Sequence, residues 1–212
     1  MLHNIKRDHF SNNSFGIIHL GASSGQERFL YNELDLDVIW VEAIPEVAST
    51  MLDNIKDYPK QIGYQALLTD KVGEQYDFKI TNNSCSSSIF DLALHLEAHP
   101  HVYQSDTINL TSTTLPQLIN EQHIDISKYK VLLLDTQGSE LLILQGAESI
   151  LSNFDIIITE VSDFESYRGC PNVKEMSFYL HKMGFLEEKR ELLVGTPVGD
   201  CYDILYKNFR FF

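Results

Sequence analysis

The feature that most constrains this chain is an alternation of short apolar runs with stretches of helical periodicity. Phe15–Leu20 (FGIIHL) is apolar and ends at Gly21. Gln26–Leu34 follows with helical spacing, placing Phe29, Leu30 and Leu34 on one face. Asp37–Glu42 (DVIWVE) reads as a buried strand, Pro45 suits the first turn of a helix running to about Ile55, and Ile62–Leu68 is strand-like. The rhythm resumes with strand Val131–Asp135, helix Ser139–Leu151, strand Ile156–Val161 and helix Val173–Met183, closed by Gly184. Phe185–Lys189 and Tyr202–Tyr206, joined through the turn-rich GTPVGD, look antiparallel. Apolar strands separated by amphipathic helices imply an α/β fold with a mostly parallel sheet covered on both faces.

The middle of the chain departs from this rhythm. Tyr76–Thr81 and Thr107–Thr113 alternate as strands, the polar NNSCSSS lies between them, Asp91–His101 has a short helical pattern, and Leu115–Gln122 looks helical. This stretch, about 75–125, reads as a β-rich insertion or lid on a single domain spanning 1–212.

Charge narrows the partners. Sixteen Lys and Arg stand against 30 Asp and Glu, a formal net charge of -14. Affinity for nucleic acid rests on cations that neutralise phosphates, so nucleic acid is disfavoured, as are anionic membrane surfaces. The three cysteines are odd in number and lack CxxC spacing, which fits reduced thiols and a cytoplasmic location. The polar N-terminal MLHNIKRDHFSNNS has no apolar stretch of the signal-peptide kind.

The segment HLGASSGQE lies where a strand gives way to a helix, and Gly21 and Gly25 allow a tight turn with backbone N–H groups facing a ligand. The next strand ends in Glu42, about 20 residues on, where a carboxylate can accept hydrogen bonds from both ribose hydroxyls of an adenosine. NAD and S-adenosylmethionine both fit this pair. The dinucleotide pattern G-x-G-x-x-G is absent, because Ala22-Ser23 follows Gly21. That disfavours a nicotinamide-dependent oxidoreductase.

VLLLDTQGSELLILQGAESIL resembles the signature of the FkbM-type methyltransferases, roughly K-I-D-x-[EQ]-G-x-E-x-x-V-L-x-G-A, through Asp135, Gln137, Gly138, Glu140, Leu144, Gly146 and Ala147. NNSCSSSI, IIHLGASSG and VEAIPEV resemble that family's Asn- and Ser-rich segment, glycine turn and V-E-P-x-P stretch. His19 stands where the family carries an acid, and Leu133 where it usually carries lysine. The resemblance implies a class I methyltransferase fold, Rossmann-like, with seven strands and the last one antiparallel. It also implies S-adenosylmethionine as cofactor and methyl transfer to a hydroxyl of a sugar, glycan or small secondary metabolite. The cofactor-contacting residues it points to are His19, Gly21, Ala22, Ser23, Gly25, Glu42, Ala43, Ala66 and Asp135. Ser87, His99 and Gln137 are the expected acceptor contacts.

An acceptor alcohol must lose its proton, which calls for a base at the carboxyl ends of the strands. Asp135 and Glu160 both end strands and are the catalytic candidates. Asp135 could instead cap the following helix, and Glu160 could pair with a basic neighbour. Glu140, inside the helix, reads as a loop anchor. His95 and His99 at i, i+4 in HLEAHPH could share a helix face, but Glu97 is misplaced for HExxH and no metal is expected; a place in a substrate lid and plain solvated loop histidines are the other readings of His95, His99 and His101. No Gly-x-Ser-x-Gly elbow surrounds Ser84–Ser88, so a serine hydrolase is disfavoured. DTQG stands where base-methylating enzymes carry an N-P-P-Y-like segment. A competing reading is a non-catalytic cofactor- or ligand-binding subunit that retains the fold, motivated by His19.

Overall fold

The computed structural model describes residues 15–209; the polar N-terminal stretch discussed above lies outside them. In chain order the elements are β1 (Gly16–Leu20), α1 (Arg28–Glu33), β2 (Asp37–Glu42), α2 (Pro45–Ile55), β3 (Gln61–Gln65), β4 (Leu67–Leu68), β5 (Gln75–Thr81), α3 (His95–Ala98), β6 (Gln104–Thr113), α4 (Leu115–Glu121), β7 (Tyr129–Leu134), α5 (Glu140–Gly146), β8 (Ile156–Ser162), α6 (Val173–Lys182), β9 (Phe185–Thr196) and β10 (Gly199–Asn208).

Seven strands form one sheet in the order β3-β2-β1-β7-β8-β10-β9. The pairs from β3 to β8 are parallel, and β10 runs antiparallel to both β8 and β9. The crossover from β3 back to β7 beside β1 makes a topological switch point, where open α/β sheets bind ligands beyond their strand ends. Side-chain alternation divides the core in two. Ile18, Leu20, Ile39, Leu132, Leu134 and Ile157 face α4, α5 and α6; Ile17, Val38, Trp40, Val131, Leu133 and Ile158 face the other side with Tyr31 and Met51.

A second sheet, β4-β6-β5, projects from the first. It forms the expected β-rich insertion, with one adjustment. Leu115, Leu118 and Ile119 of α4 pack into the main core, so that helix covers the large sheet. The sequence-predicted helix over Asp91–His101 contracts to the single turn α3, and Ile62–Leu68 breaks at Ala66 into β3 and β4. In α1 the inward residue is Tyr31, while Phe29 is 57% exposed. The helix is six residues long, too short for its apolar spacing to fix a face.

Two glycines explain how the strand tips come together. Gly21 has φ +75, and a Cβ there would lie 1.8 Å from the Asp135 carbonyl oxygen. The bare Cα lets the tips of β1 and β7 touch, and Asp135 N donates to Leu20 O at 3.0 Å. Gly146 ends α5 against the backbone of Thr69, where a Cβ would lie 2.4 Å from its carbonyl oxygen.

Candidate active site

Beyond the tips of β1, β2 and β7 lies a cleft of ≈ 810 Å³, counting its open mouth. This is within the range of roughly 300–1,000 Å³ typical of small-molecule sites. His19, Gly21, Ala22, Ser23, Glu42, Ala43, Ala66 and Asp135 all line it, as do Ser87 and Gln137, two of the expected acceptor contacts. Gly25 does not line the cleft; it closes the turn behind, accepting from the Arg28 guanidinium at 3.0 Å.

The first turn differs from its sequence expectation. Its N–H groups do not face the cleft as a free array. Gly21 N and Ala22 N both donate to Val41 O, and Gly25 N donates to Ala22 O. Ser23 N donates to Glu42 Oε2 and Ile44 N to Glu42 Oε1, each at 2.9 Å. Glu42 thus braces the glycine turn against the start of α2. Each oxygen keeps a further acceptor site, enough for the two hydroxyls of a ribose. Burial raises its carboxyl above the usual range, opposed by those backbone donors, with Asp135 adding to the rise.

His19 does not take over the role of an acid. Its ring stacks on Trp40 at 5.0 Å between centroids, and Nδ1 shares a 3.0 Å hydrogen bond with the Tyr31 hydroxyl. Burial lowers its pKa to about 3, so it is neutral.

A second cavity of ≈ 880 Å³ opens beyond β7 and β8, lined by His95, His99, Glu140, Glu160 and Tyr167 among others. Cys85, Asp135 and Gln137 line both cavities. Asp135 therefore stands on their common wall.

The loop after β7 holds that wall. Gln137 has φ +56, a conformation non-glycine residues rarely adopt. Its Nε2 donates to Asp135 Oδ1 at 2.7 Å, and its Oε1 accepts from the Tyr167 hydroxyl at 2.6 Å. Ser88 Oγ donates to Gln137 O at 2.7 Å, pinning the polar NNSCSSS segment onto this loop. Ser87 Oγ accepts from Thr81 N, so this expected acceptor contact also braces its own loop. Glu140 anchors the loop from below, accepting from Thr136 N at 2.8 Å and Gly138 N at 3.0 Å. Asp135 does not cap α5, whose N-cap position is Ser139.

The acids here are desolvated. Burial pushes Asp135 up to about 6, against the lowering effect of the Gln137 bond and helped by Asp203 and Glu27. Burial pushes Glu140 up to about 7 despite its backbone donors. Glu160 is raised by burial and then by Asp135, Glu140 and Asp203; the basic partner considered from sequence is replaced by acids. His95 is 5% exposed, and burial followed by the nearby His99 lowers it to about 4.

Sequence reasoning missed Tyr167 as part of this site, and reached His95 and Ser88 only as members of the His cluster and of the Ser84–Ser88 loop. Tyr167 and Ser88 act through chain separations of 30 and 49 residues, and no local spacing signals such contacts. Among the described residues, no group of three His, Cys, Asp or Glu side chains converges as a metal site.

The described geometry can be set beside known proteins. The profile of the Methyltransferase FkbM domain matches residues 19–187. Among solved structures, M. capricolum TrmK bound to S-adenosyl-homocysteine superposes with a TM-score of 0.53 at 10% identity, covering 93% of this chain and 64% of that one. A putative tRNA (m1A22) methyltransferase from Streptococcus pneumoniae gives 0.53 at 9% identity, with 94% and 66% covered. An uncharacterized protein from Listeria monocytogenes gives 0.54 at 9%, with 97% and 64% covered. The chain thus spans slightly under two thirds of the length of these structures. A search of curated proteins finds no match by sequence. The architecture is that of the class I methyltransferases, whose cofactor is S-adenosylmethionine. The chain belongs to the FkbM methyltransferase family.

The first cleft suits that cofactor chemically. Among the described residues its lining contains no Lys or Arg, while Glu27, Glu42 and Asp135 supply acids. Such a wall accepts a sulfonium and an ammonium and repels a pyrophosphate. Thr136 Oγ1, also on the lining, is buried without a hydrogen-bond partner and is available to a ligand.

Proposed function

We propose that this chain transfers a methyl group from S-adenosylmethionine to a hydroxyl oxygen of a sugar, glycan or small secondary metabolite. The observation that carries this reading is the place of Asp135, on the wall shared by two cavities and held by Gln137.

S-adenosylmethionine supplies an activated methyl group and needs no further activation by the protein. Glu42 would hold the ribose hydroxyls, and the apolar Val41, Ala43, Ala66 and Leu68 would flank the base. Asp135 accepts the proton of the acceptor hydroxyl or orients it, and a group titrating at about 6 is well placed for that work near neutral pH. Gln137 fixes the carboxylate, Tyr167 fixes Gln137, and Glu140 fixes the loop that carries both. Glu160 is the reserve base. Holding the two reactants in line lowers the barrier by up to about 7–11 kcal/mol in favourable cases.

The formal charge of -14 and the lack of Lys or Arg among the described residues of either cavity lining favour a small or glycan acceptor over nucleic acid or a membrane surface. No helix among the described residues is long and apolar enough to cross a membrane. Cys85, Cys170 and Cys201 are free thiols, which supports a cytoplasmic setting.

A second reading, a binding subunit without catalysis, is favoured by one observation: His19 is a neutral core residue where the family carries an acid. Calorimetry with S-adenosylmethionine, followed by assay of S-adenosylhomocysteine formation with hydroxylated acceptors, decides between them. Micromolar binding with turnover is expected. Binding without turnover on any hydroxylated acceptor would establish the subunit, and no binding would overturn both.

A further inference from the structure

Resting on the methyltransferase reading, we propose that the second cavity is the acceptor site and takes an amine-bearing, phosphate-free hydroxyl compound, its ammonium group set among the buried carboxyls.

The cavity has an unusual charge inventory. Asp135, Glu140 and Glu160 line it, and among the described residues no Lys or Arg does. These acids come from the ends of β7 and β8 and the start of α5, so the fold places them together. Glu140 is 3% exposed, and its oxygens are occupied by loop N–H groups. Glu160 has no such array of backbone donors; a hydrogen bond with the Gln137 side chain lowers its carboxyl, while Asp135, Glu140 and Asp203 raise it. Grouping desolvated carboxyls without a counter-ion costs stability, and a cation placed among them relieves that cost.

An independent observation points to a ligand in the same cavity. His95 lines it, is 95% buried by its 5% exposure, and its Nδ1 has no hydrogen-bond partner. A buried nitrogen left unpaired in the free protein is a site for a ligand to complete. Its ring packs 4.8 Å from His99 and 5.2 Å from Tyr167, centroid to centroid, which holds it against the cavity wall. The imidazole is neutral, so it offers a hydrogen bond without repelling an ammonium. Tyr167 is likewise neutral, because burial and the surrounding acids raise its phenol.

Three ligand classes are sorted by these walls. An ammonium gains charge-assisted bonds to Glu160 and its neighbours. A neutral amide gains ordinary hydrogen bonds only. A phosphate or carboxylate meets like charge, with no Lys or Arg on the lining among the described residues to offset it. With the ammonium on the Glu160 side, a hydroxyl on the same skeleton can reach Asp135 at the wall shared with the cofactor cleft.

The test is calorimetry on the full chain saturated with S-adenosylhomocysteine, using one skeleton in three forms: glucosamine, N-acetylglucosamine and glucosamine 6-phosphate. Glucosamine should bind at least about tenfold more tightly than either of the others. In Glu160→Gln that preference should shrink to about threefold or less. Equal or tighter binding of N-acetylglucosamine or the phosphate by the wild type overturns the inference, and so does no binding of any of the three. These outcomes need only the wild type, so they stand if Glu160→Gln fails to fold. The preceding titration with S-adenosylhomocysteine alone reports on the methyltransferase reading separately. Its failure with glucosamine still preferred would remove methyl transfer and leave the amine site.

Discussion

The cofactor cleft takes its walls from the ends of β1 and β2, the short β4 and the glycine turn, with Glu42 as the carboxylate tied to its backbone. The second cavity draws on the polar segment after β5, α3, the loop after β7, the end of β8 and the segment around Tyr167. In the first, one carboxylate is stabilised by backbone N–H groups. In the second, Glu140 and Glu160 are desolvated acids that Asp135 raises further. The contrast teaches a division of labour: one half is built to hold a fixed ligand on main-chain geometry, the other to recognise a variable one through side chains.

The sharpest way to break this contrast is at the wall the halves share. Asp135→Asn keeps the shape and the hydrogen bond with Gln137 after a flip of the amide. Turnover should fall by about 10²–10⁴, the usual range for a lost general base. Binding of S-adenosylhomocysteine should change little, because Glu42 and the first two strands hold the adenosine. Single-turnover rates at saturating cofactor measure the effect. A drop below about tenfold would move the base to Glu160.

Glu42→Gln tests the cofactor half alone. Loss of a charge-assisted acceptor should weaken S-adenosylhomocysteine binding by about 1–3 kcal/mol in calorimetry. Unchanged affinity in the folded variant would remove Glu42 from the ribose site and undo the proposed division.

The two halves also differ in how far the sequence discloses them. The cofactor half lies in contiguous segments, HLGASSG and VEAIP, whose strand context is visible from apolar runs. Eight of its nine expected residues line the cleft, Gly25 excepted. The centre of the sheet was legible for the same reason, since β1, β2, β7 and β8 are largely apolar, whereas β9 (FLEEKRELLVGT) is mostly exposed, carries the charged run EEKRE and extends beyond the expected Phe185–Lys189. The acceptor half was legible at Asp135, Gln137, His99 and Glu160 and, as a loop anchor, at Glu140. His95, Tyr167 and Ser88 come together through long-range contacts that no spacing rule encodes. Even where the sequence disclosed the right residues, it did not disclose the hydrogen bonds. The N–H groups of the glycine turn looked free for a ligand, yet Val41 O and Glu42 use them.

Glu140 offers a smaller, pH-resolved test of the acidic half. Its carboxyl titrates at about 7 when folded, above the ordinary value of 4.5, with burial as the main cause. The native state therefore binds this proton more tightly than the unfolded chain. The stabilising contribution is full below pH 4.5 and is lost as pH rises through 7. Glu140→Gln cannot titrate. Denaturant unfolding of both proteins across this range should show the wild type losing stability relative to the variant as pH rises. A gap that is flat, or that moves the other way, would mean that Glu140 is ionised throughout and that the acceptor half is wetter than its geometry indicates.

The smallest expected effect is that of removing metal ions. Clustered acids and histidines invite the idea that the second cavity holds a divalent cation in place of an ammonium. The donor set argues against it: among the described residues no three such side chains converge, and the Glu140 oxygens are already committed to Thr136 and Gly138. His95 and His99 approach ring to ring at a 49° tilt, with no third ligand completing a site. Displacement at a sulfonium carbon also needs no Lewis acid, since the leaving group departs neutral. Chelation with EDTA should leave cofactor affinity and turnover unchanged. If activity were lost and then restored by Mg²⁺ or Zn²⁺, the acids would have to be read as ligands. The distinction between a backbone-built cofactor half and an amine-recognising acceptor half would then give way to that of a metal-assisted site.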